Sequence, residues 1–193
     1  MNCPKNILRR QLLQQRQALP AQLWQVQSDL ICHHLLNCPQ FIEARTILAY
    51  QSCRQEPNLE YLFTHTNKQW GLPRCIGKDL RWHRWKPAEP LVVGTYDILE
   101  PHPDSPQLTP TDVDLLLVPA VAVACSGYRL GYGGGYYDRL RADPRWREIP
   151  TIAIVFDFAR VETLPIDPWD LPLDAVCTEL GFFSSSLLDR QDN

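Results

Sequence analysis

The segment "VDLLLVPAVAVACSGYRLGYGGGYYDRL" (Val113–Leu140) joins an apolar run, a glycine-rich loop and a polar run. The apolar run, from Val113 to Cys125, is shorter than the roughly 20 residues that a membrane-spanning helix needs, and it predicts a central buried strand that ends at Pro119. The polar run "YYDRLRAD" predicts a helix from Tyr136. Between them, Gly131 to Gly135 contain four of the 9 Gly of the chain. We therefore predict the order strand, glycine loop, helix.

The glycine loop has two interpretations. Glycine permits positive φ and lets backbone N–H groups approach a ligand closely, and successive N–H groups form a concavity that binds anions. A phosphate at the start of a helix fits such a loop, and so does a turn with a structural role alone. The Lys-Ser/Thr pair of a Walker A loop is absent, and about ten residues separate the loop from the strand, unlike the dinucleotide-binding fingerprint.

Helical and strand-like runs alternate on both sides of this segment. Two helices are predicted within 4–38, one in "PKNILRRQLLQQRQAL" and one from the helical spacing of Leu23, Val26, Leu30, Ile31 and Leu35. Further predictions are strands at "TILAY", "TIAIVFD" and "DAVCT", a helix at "NLEYLFTHTN", an exposed strand or hairpin arm at "RWHRW", an ordered surface loop over 86–110 and a frayed end at "FSSSLLDRQDN". We predict a single domain over 1–193, an α/β fold with α/β/α layers and a mostly parallel central sheet.

Composition restricts the class of protein. The 193 residues are 45% hydrophobic and 21% charged with a net charge of −3, which suits a globular protein and gives no general attraction to nucleic acid or to an anionic membrane. The seven Cys are spread singly, so reduced thiols in a cytosol are expected, and the spacing in "CHHLLNC" does not favour zinc. We predict a cytoplasmic monomer that binds neither nucleic acid nor membrane.

Charged residues near the loop are candidates for phosphate and metal chemistry. Asp138 directly follows the loop and could hold Mg²⁺ beside phosphate oxygens, or it could simply offset the helix dipole. Arg129 could stabilise a transferring phosphoryl group, or it could pair with a nearby acid. Lys5 and Arg9, four residues apart, project from one side of the first predicted helix, where they could also be ordinary solvated charges.

These motifs resemble a known family. "RLGYGGGYYDRL", with "LLLVPAVAVACSGY" before it, is similar to the signature of the 5-formyltetrahydrofolate cyclo-ligase family, also called 5,10-methenyltetrahydrofolate synthetase. Shorter marks in the family's order cover nearly the whole chain: "KNILR", "YQSCRQEPNLEYL", "GLPR", "YDILEP" and "LPIDPWDLPLDAVCTE". The resemblance implies an enzyme that uses ATP and Mg²⁺ to convert 5-formyltetrahydrofolate, with or without a polyglutamate tail, to 5,10-methenyltetrahydrofolate. In that reaction the formyl oxygen is phosphorylated, N10 closes the ring, and phosphate leaves.

The resemblance also implies site residues. Catalytic roles fall on Arg129 and Tyr136. The nucleotide contacts fall on the loop 129–138 and the first helix, namely Lys5, Arg9, Arg129, Leu130, Gly131, Tyr132, Gly133, Gly134, Gly135, Tyr136 and Tyr137. The folate contacts fall on Gln51, Glu56, Tyr132, Gly133, Gly134, Gly135 and Tyr136. The magnesium carboxylates are Asp138 and Asp170. Trp82 and Trp85 could stack on the ligand rings, although aromatic side chains are more often part of a core.

One departure from the family pattern keeps alternatives open. In "VFDFARVETLP" this chain has Ala159 where many relatives carry glutamine. A non-catalytic folate- or nucleotide-binding relative is therefore one alternative. A nucleic-acid-binding module that uses "RWHRWK" is another, although the net charge disfavours it.

Overall fold

The structure is a computed structural model, and it describes residues 4–185. Its helices are α1 (Pro4–Gln17), α2 (Ala21–Leu36), α3 (Pro39–Glu43), α4 (Glu60–His65), α5 (Tyr136–Ala142) and α6 (Pro144–Arg147), with 3-10 turns at Thr95–Asp97, Pro110–Asp112 and Asp157–Ala159. Its strands are β1 (Thr46–Leu48), β2 (Gln69–Ile76), β3 (Asp79–Trp85), β4 (Val92–Val93), β5 (Leu99–Glu100), β6 (Gln107–Leu108), β7 (Leu115–Pro119), β8 (Ala122–Ala124), β9 (Arg129–Leu130), β10 (Thr151–Ile154), β11 (Arg160–Val161), β12 (Ala175–Thr178) and β13 (Gly181–Ser184).

An eight-stranded sheet forms the centre, in the order β13-β12-β10-β7-β1-β2-β3-β6. The five strands from β12 to β2 are parallel to one another, and β13, β3 and β6 are antiparallel to their neighbours at the two ends. A small second sheet, β11-β8-β9, and the pair β4-β5 lie outside it. The mostly parallel arrangement agrees with the prediction, because parallel strands need helical connections between them.

Helices cover both faces of this sheet. In β7, Leu115 and Leu117 belong to one apolar cluster, while Leu116 and Val118 belong to another. The first cluster contains side chains of α2, α3 and α4, and the second contains side chains of α5 and α6. Since successive strand residues point to opposite faces, a fully apolar strand such as β7 must be buried between two layers. The predicted three-layer α/β/α class is therefore confirmed.

The two N-terminal helices form where they were predicted, but the apolar stripe of α2 is only partly buried. Ile31 and Leu35 are in the core, whereas Leu23, Val26 and Leu30 are 44%, 50% and 42% exposed. The buried side of α2 also contains Ser28 and Cys32, which are fully buried. Ser28 is satisfied there because its hydroxyl donates to the Trp24 carbonyl and accepts from the Asn58 amide. Helical spacing thus located the helix but not the exact side that packs.

The "RWHRW" segment is also buried more deeply than predicted. It forms β3, which pairs with β2 as one arm of a hairpin, but Trp82 and Trp85 are only 1% and 6% exposed. Trp85 packs edge-on to Phe63, and Trp82 packs edge-on to Tyr137. Both rings therefore belong to the core, which is the more common of the two interpretations of aromatic side chains, and not to a surface that stacks on a ligand. The hairpin buries them because β6 adds a further strand beside β3.

Two other segments differ from the expectation in detail. The loop over 86–110 is ordered as predicted, but it also contains β4, β5 and β6. The segment "FSSSLLDRQDN" is not frayed at its start, because Phe183 and Ser184 belong to β13; residues 186–193 lie outside the described residues. Among residues 4–185, no helix is both long enough and apolar enough to cross a membrane.

Candidate active site around the glycine loop

The glycine loop, residues 131–135, begins after a short hairpin and ends at a helix. About ten residues separate β7 from the loop, and they form β8 and β9, which pair with each other. Helix α5 starts directly after the loop, at Tyr136. Gly133 has φ +98° and Gly135, the N-cap of α5, has φ +66°. These left-handed conformations explain why glycine occupies both positions. Within residues 4–185, nothing accepts a hydrogen bond from the backbone amides of residues 132–135.

Arginine side chains surround the loop. Arg9 of α1 donates from Nε to the Gly131 carbonyl oxygen at 2.7 Å. Arg129 donates from Nη2 to Asp138 Oδ1 at 3.0 Å, and its guanidinium lies 4.9 Å from the centre of the Tyr137 ring. Leu130 is buried with Leu12 and so anchors the start of the loop to α1. The loop therefore combines unpaired amides with cations, which is the arrangement that binds an anion.

Lys5 lies one turn before Arg9 on α1 and contacts a different segment. Its Nζ donates at 2.6 Å to Asp167 Oδ2 and at 2.6 Å to Asp170 Oδ2. Burial lowers the pKa of Lys5, but the two carboxylates outweigh burial, so that its pKa lies above the ordinary value of 10.5. Asp167 was not among the predicted site residues, and the only sequence signal for it is its position within "LPIDPWDLPLDAVCTE".

The two predicted magnesium carboxylates lie on adjacent segments. Arg141 of α5 is buried, and its Nη1 donates to the carbonyl oxygens of Leu171 and Pro172. This contact joins the helix that carries Asp138 to the segment directly after Asp170. One oxygen of each carboxylate, Asp138 Oδ2 and Asp170 Oδ1, accepts no hydrogen bond within the described chain. Across residues 4–185, no three or more His, Cys, Asp or Glu side chains form a group suited to a metal ion.

Glu56 forms the other half of the site. It follows β1 in a turn in which Arg54 and Gln55 both have positive φ, at +48° and +56°. This turn directs the Glu56 side chain inward, and only 2% of the residue is exposed. Its Oε1 accepts from the Tyr132 hydroxyl at 2.7 Å, and its Oε2 accepts from the Cys53 amide at 3.1 Å. A residue of the glycine loop therefore contacts the predicted folate acid directly.

A buried arginine that sequence reasoning missed supports this contact. Arg16 of α1 is 4% exposed and donates from Nη2 to the Tyr132 hydroxyl. Burial raises the pKa of Glu56 above its ordinary value of 4.5, while the Arg16 charge and the accepted hydrogen bonds oppose that rise. Glu56 is the acceptor in all of its hydrogen bonds with Tyr132 and Cys53. This pattern fits an ionised carboxylate, which can only accept hydrogen bonds. Arg16 lies in a polar run without a motif, so the sequence carried no signal for it.

Tyr136 lies at the outer side of the loop. Its hydroxyl donates to the Gly77 carbonyl oxygen at 3.1 Å and lies 3.0 Å from the Tyr96 hydroxyl. The hydrogen bond with Tyr96 raises the pKa of Tyr136 to about 12. The phenol is therefore protonated at neutral pH, so it can act there as a hydrogen-bond donor and not as a base. Arg139 lies over the ring, with its guanidinium carbon 5.1 Å from the ring centre.

Two other residues singled out from the sequence are less connected to the loop. Gln51 is half-buried just after β1, near Glu56 in the chain, and makes no side-chain hydrogen bond within residues 4–185. Ala159 is 4% exposed and packs in the apolar cluster on the α5 side of the sheet. A side chain at position 159 is thus surrounded by core residues, which explains why a small apolar residue is accommodated there.

The site lies where the carboxyl ends of neighbouring parallel strands meet. Glu56 follows β1, and Ala120, whose carbonyl accepts from Arg16, follows the adjacent strand β7. Ligands of α/β proteins bind at this edge of the sheet. The fold and the site together define an α/β protein with a glycine loop, surrounded by arginine side chains, beside a buried acid.

Comparison with known proteins identifies the family. The model of the 5-formyltetrahydrofolate cyclo-ligase family matches residues 2–179, so the chain belongs to this family and is an enzyme of that type. It is 30% identical over 173 residues to 5-formyltetrahydrofolate cyclo-ligase of Escherichia coli strain K12, covering 86% of this chain and 94% of the relative. It is also 30% identical over 188 residues to the Mycolicibacterium smegmatis enzyme of the same name, covering 90% and 93%.

A solved structure agrees with this assignment. The NMR structure of Aquifex aeolicus 5,10-methenyltetrahydrofolate synthetase matches with a TM-score of 0.84 at 30% identity, covering 99% of this chain and 96% of that chain. The family resemblance inferred from the glycine–tyrosine motif is therefore confirmed.

Proposed function

We propose that this enzyme converts 5-formyltetrahydrofolate to 5,10-methenyltetrahydrofolate with ATP and Mg²⁺, releasing ADP and phosphate. In the proposed reaction the formyl oxygen attacks the γ-phosphorus of ATP, N10 then attacks the activated formyl carbon, and phosphate leaves with that oxygen. The observation that carries the proposal is the contact between Tyr132 and Glu56 at 2.7 Å. It supports the proposal because the glycine loop, which would bind phosphate, thereby touches the acid that would hold the pterin.

The loop supplies the groups that phosphoryl transfer requires. Such transfer depends on alignment and on stabilisation of charge, and much less on a covalent nucleophile. The amides of residues 132–135 and the guanidinium groups of Arg9 and Arg129 would bind the phosphates, and Lys5 would join them after leaving Asp167 and Asp170. Arg129 and the protonated Tyr136 hydroxyl would donate to oxygens on which negative charge develops.

Glu56 fits the pterin half of the substrate. A buried carboxylate can accept hydrogen bonds from two adjacent N–H donors, which is the pattern that a pterin ring presents. Glu56 Oε1 accepts only the bond from Tyr132, and Oε2 accepts from the Cys53 amide and, at 3.3 Å, from the Cys53 thiol. Each oxygen can accept two hydrogen bonds, so the pterin would bind Oε1 beside Tyr132 and take the place of the thiol at Oε2. Gln51 and residues 132–136 would complete the folate contacts.

The two carboxylates fit Mg²⁺. Carboxylate oxygens are the protein ligands that Mg²⁺ prefers, and it commonly uses one or two of them together with substrate phosphates. Asp138 and Asp170 would hold the ion through the oxygens that accept no hydrogen bond from described residues, Oδ2 and Oδ1 respectively. The ion would neutralise phosphate charge. Before ligands bind, Arg129 and Lys5 pair with the other oxygens and keep the two carboxylates in place.

The experiment that tests this function measures the product directly. Purified protein, 5-formyltetrahydrofolate and Mg²⁺ are mixed with and without ATP, and the absorbance of the methenyl product is followed. We expect the product to form only with ATP, together with one equivalent of ADP. Folate and nucleotide binding without product would instead support the non-catalytic alternative. Salt-sensitive binding of single-stranded nucleic acid with no folate binding would support the nucleic-acid module.

The remaining parts of the proposal concern the setting of the enzyme. We propose a single domain that acts as a monomer in the cytoplasm, on a small-molecule substrate and without a nucleic-acid or membrane partner. One observation supports the cytoplasmic setting: the six cysteines in the described part of the chain are free thiols.

A further inference from the structure

Arg16 is the point at which four segments of the site meet. Its Nε donates to the Arg54 carbonyl oxygen at 3.0 Å, its Nη1 to the Ala120 carbonyl oxygen at 3.4 Å, and its Nη2 to the Tyr132 hydroxyl. Arg16 itself lies on α1, Arg54 precedes Glu56, Ala120 follows β7, and Tyr132 lies in the glycine loop. A guanidinium that is 96% buried carries a high desolvation cost, so these contacts must compensate for it.

The hydrogen bonds of Arg16 determine the direction of the next one. A guanidinium can only donate, so the Tyr132 oxygen must accept from Arg16. The single hydroxyl proton of Tyr132 is then directed to Glu56 Oε1, 2.7 Å away. Arg16 therefore sets the direction in which the Tyr132 hydroxyl proton points.

The charge of Arg16 also acts on Glu56 itself. Among the groups around Glu56, Arg16 of α1 provides the largest effect that lowers the carboxyl pKa, against burial, which raises it. The other titratable or charged groups near Glu56 are Tyr50 at the end of β1, Cys53 and Arg54 in its own turn, and Tyr132 and Tyr137 in the loop and α5. Of these, only Arg54 is another cation, and it is exposed.

Building on the proposed function, we propose that Arg16 is a positioning residue for the folate half of the site. It holds Glu56 as an ionised acceptor for the pterin and fixes Tyr132 between the pterin acid and the glycine loop. Arg16 does not contact the substrate in this role. Its removal should weaken folate binding and leave the phosphate contacts of Lys5, Arg9 and Arg129 intact.

The test uses two substitutions at position 16 and one matched control. Arg16→Lys keeps the charge but loses the fork that reaches three acceptors at once, and Arg16→Met loses both. Arg10→Met, at an exposed position of the same helix, is the control. Binding of 5-formyltetrahydrofolate is measured by calorimetry without ATP, the KM values for folate and ATP are measured by product absorbance, and thermal unfolding shows that each variant is folded.

For Arg16→Lys we expect about a tenfold loss of folate affinity, with the KM for ATP within about twofold of the control, since one lost directional contact in a buried site corresponds to about that factor. For Arg16→Met we expect a larger loss and a changed pH profile. Without the Arg16 charge the pKa of Glu56 rises further, so the pH at which folate binding strengthens should lie higher for this variant than for the control.

Should Arg16→Met not fold, Tyr132→Phe replaces it as the second measurement. If Arg16 acts through the Tyr132 hydroxyl, the Arg16→Lys/Tyr132→Phe double variant should bind folate about as weakly as the weaker single variant, and not at the product of the two losses. Folded Arg16 variants that bind folate like Arg10→Met, or that raise both KM values equally, would overturn the inference alone. A wild-type protein that binds no folate would overturn the proposed function and this inference with it.

Discussion

At the scale of single residues, two cations of the candidate site are already paired with acids of the same site. Lys5 contacts Asp167 and Asp170, and Arg129 contacts Asp138. Each of these pairs would have to rearrange when a phosphate and a metal ion arrive, because the phosphate attracts the cation and the metal attracts the carboxylate. The pairs thus keep opposite charges together until the ligand replaces them.

Replacing Lys5 by alanine should affect ATP more than folate. The ammonium group would make a charge-assisted hydrogen bond to phosphate, and losing one such bond should raise the KM for ATP by about tenfold. Folate affinity in the absence of ATP should remain near that of wild type, since Lys5 contacts neither Glu56 nor Tyr132. Steady-state kinetics for both substrates check this, with Arg10→Ala on the same helix as control. An unchanged KM for ATP would remove Lys5 from the phosphate site.

Replacing Asp138 by asparagine should weaken metal use. The amide keeps the shape of the side chain but removes the charge that would bind Mg²⁺, so kcat should fall by about tenfold and the Mg²⁺ concentration for half-maximal rate should rise. A Mg²⁺ titration of the rate measures both quantities. Asp104→Asn is a suitable control because that carboxylate side chain is 90% exposed and far from the loop in sequence. A normal Mg²⁺ requirement in Asp138→Asn would argue against the metal role.

The buried Glu56 should leave a signature in the pH dependence of stability. Its folded pKa lies above the ordinary 4.5, so the folded protein keeps a proton on Glu56 at pH values at which the unfolded chain has lost it. This contribution to stability is fully present below about pH 4.5 and is lost as the pH rises towards the folded pKa. The unfolding free energy of wild type, relative to Glu56→Gln, should therefore decrease over that interval in urea titrations. A difference that is constant with pH would contradict the assignment.

At the scale of elements, the junction between the glycine loop and α5 depends on backbone conformation. Gly135 has φ +66°, and a Cβ there would lie 2.7 Å from Arg139 Nη1. Gly77, between β2 and β3, has a similar φ of +61°, but a Cβ there would meet no atom within 4 Å. The two positions thus share the same backbone cost and differ in their surroundings, which makes Gly77 a matched control.

Both Gly135→Ala and Gly77→Ala should lower the unfolding free energy by about 1–2 kcal/mol, the cost of the left-handed conformation for a residue with a Cβ. Only Gly135→Ala should also reduce ATP affinity, because the Arg139 side chain and the loop amides must shift. Urea denaturation measures the first effect, and nucleotide binding by calorimetry measures the second. Equal ATP affinities for the two variants would show that the loop geometry does not matter for nucleotide binding.

At the scale of the whole molecule, the site joins segments that are far apart in the chain. Lys5 contacts Asp170, 165 positions away, and Tyr132 contacts Glu56, 76 positions away. Because α1 connects with the glycine loop through Arg9 and with the turn before Glu56 through Arg16, ligands that bind the site should hold these segments together.

Ligands should therefore raise the stability of the whole fold. At a free concentration of 100 times its dissociation constant, a ligand that binds only the folded state adds about 2.7 kcal/mol to the unfolding free energy. ADP with Mg²⁺ and 5-formyltetrahydrofolate should each raise the melting temperature, and the two together should raise it further. Thermal unfolding with each ligand, and with a nucleotide-free Mg²⁺ control, measures this. A melting temperature that responds to neither ligand would contradict both halves of the site.

The sequence alone determined the local features of this protein. The apolar run of β7 predicted a strand buried on both faces, because a strand with apolar residues at every position has no side for water. The glycines of the loop predicted positive φ angles, and Gly133 and Gly135 have positive φ. The glycine–tyrosine motif also identified the family, and with it the residues expected to bind ATP, folate and Mg²⁺.

Only the tertiary structure decided which residues meet. The sequence left open that Trp82 and Trp85 stack on a ligand. Strand β6 and the rings of Phe63 and Tyr137 pack around them and make them core residues. Arg16 shares its type and polar surroundings with Arg10, yet one is buried at the site and the other is exposed. The physical reason is that burial and hydrogen-bond partners depend on segments distant in the chain, whereas spacing and composition report only on neighbours.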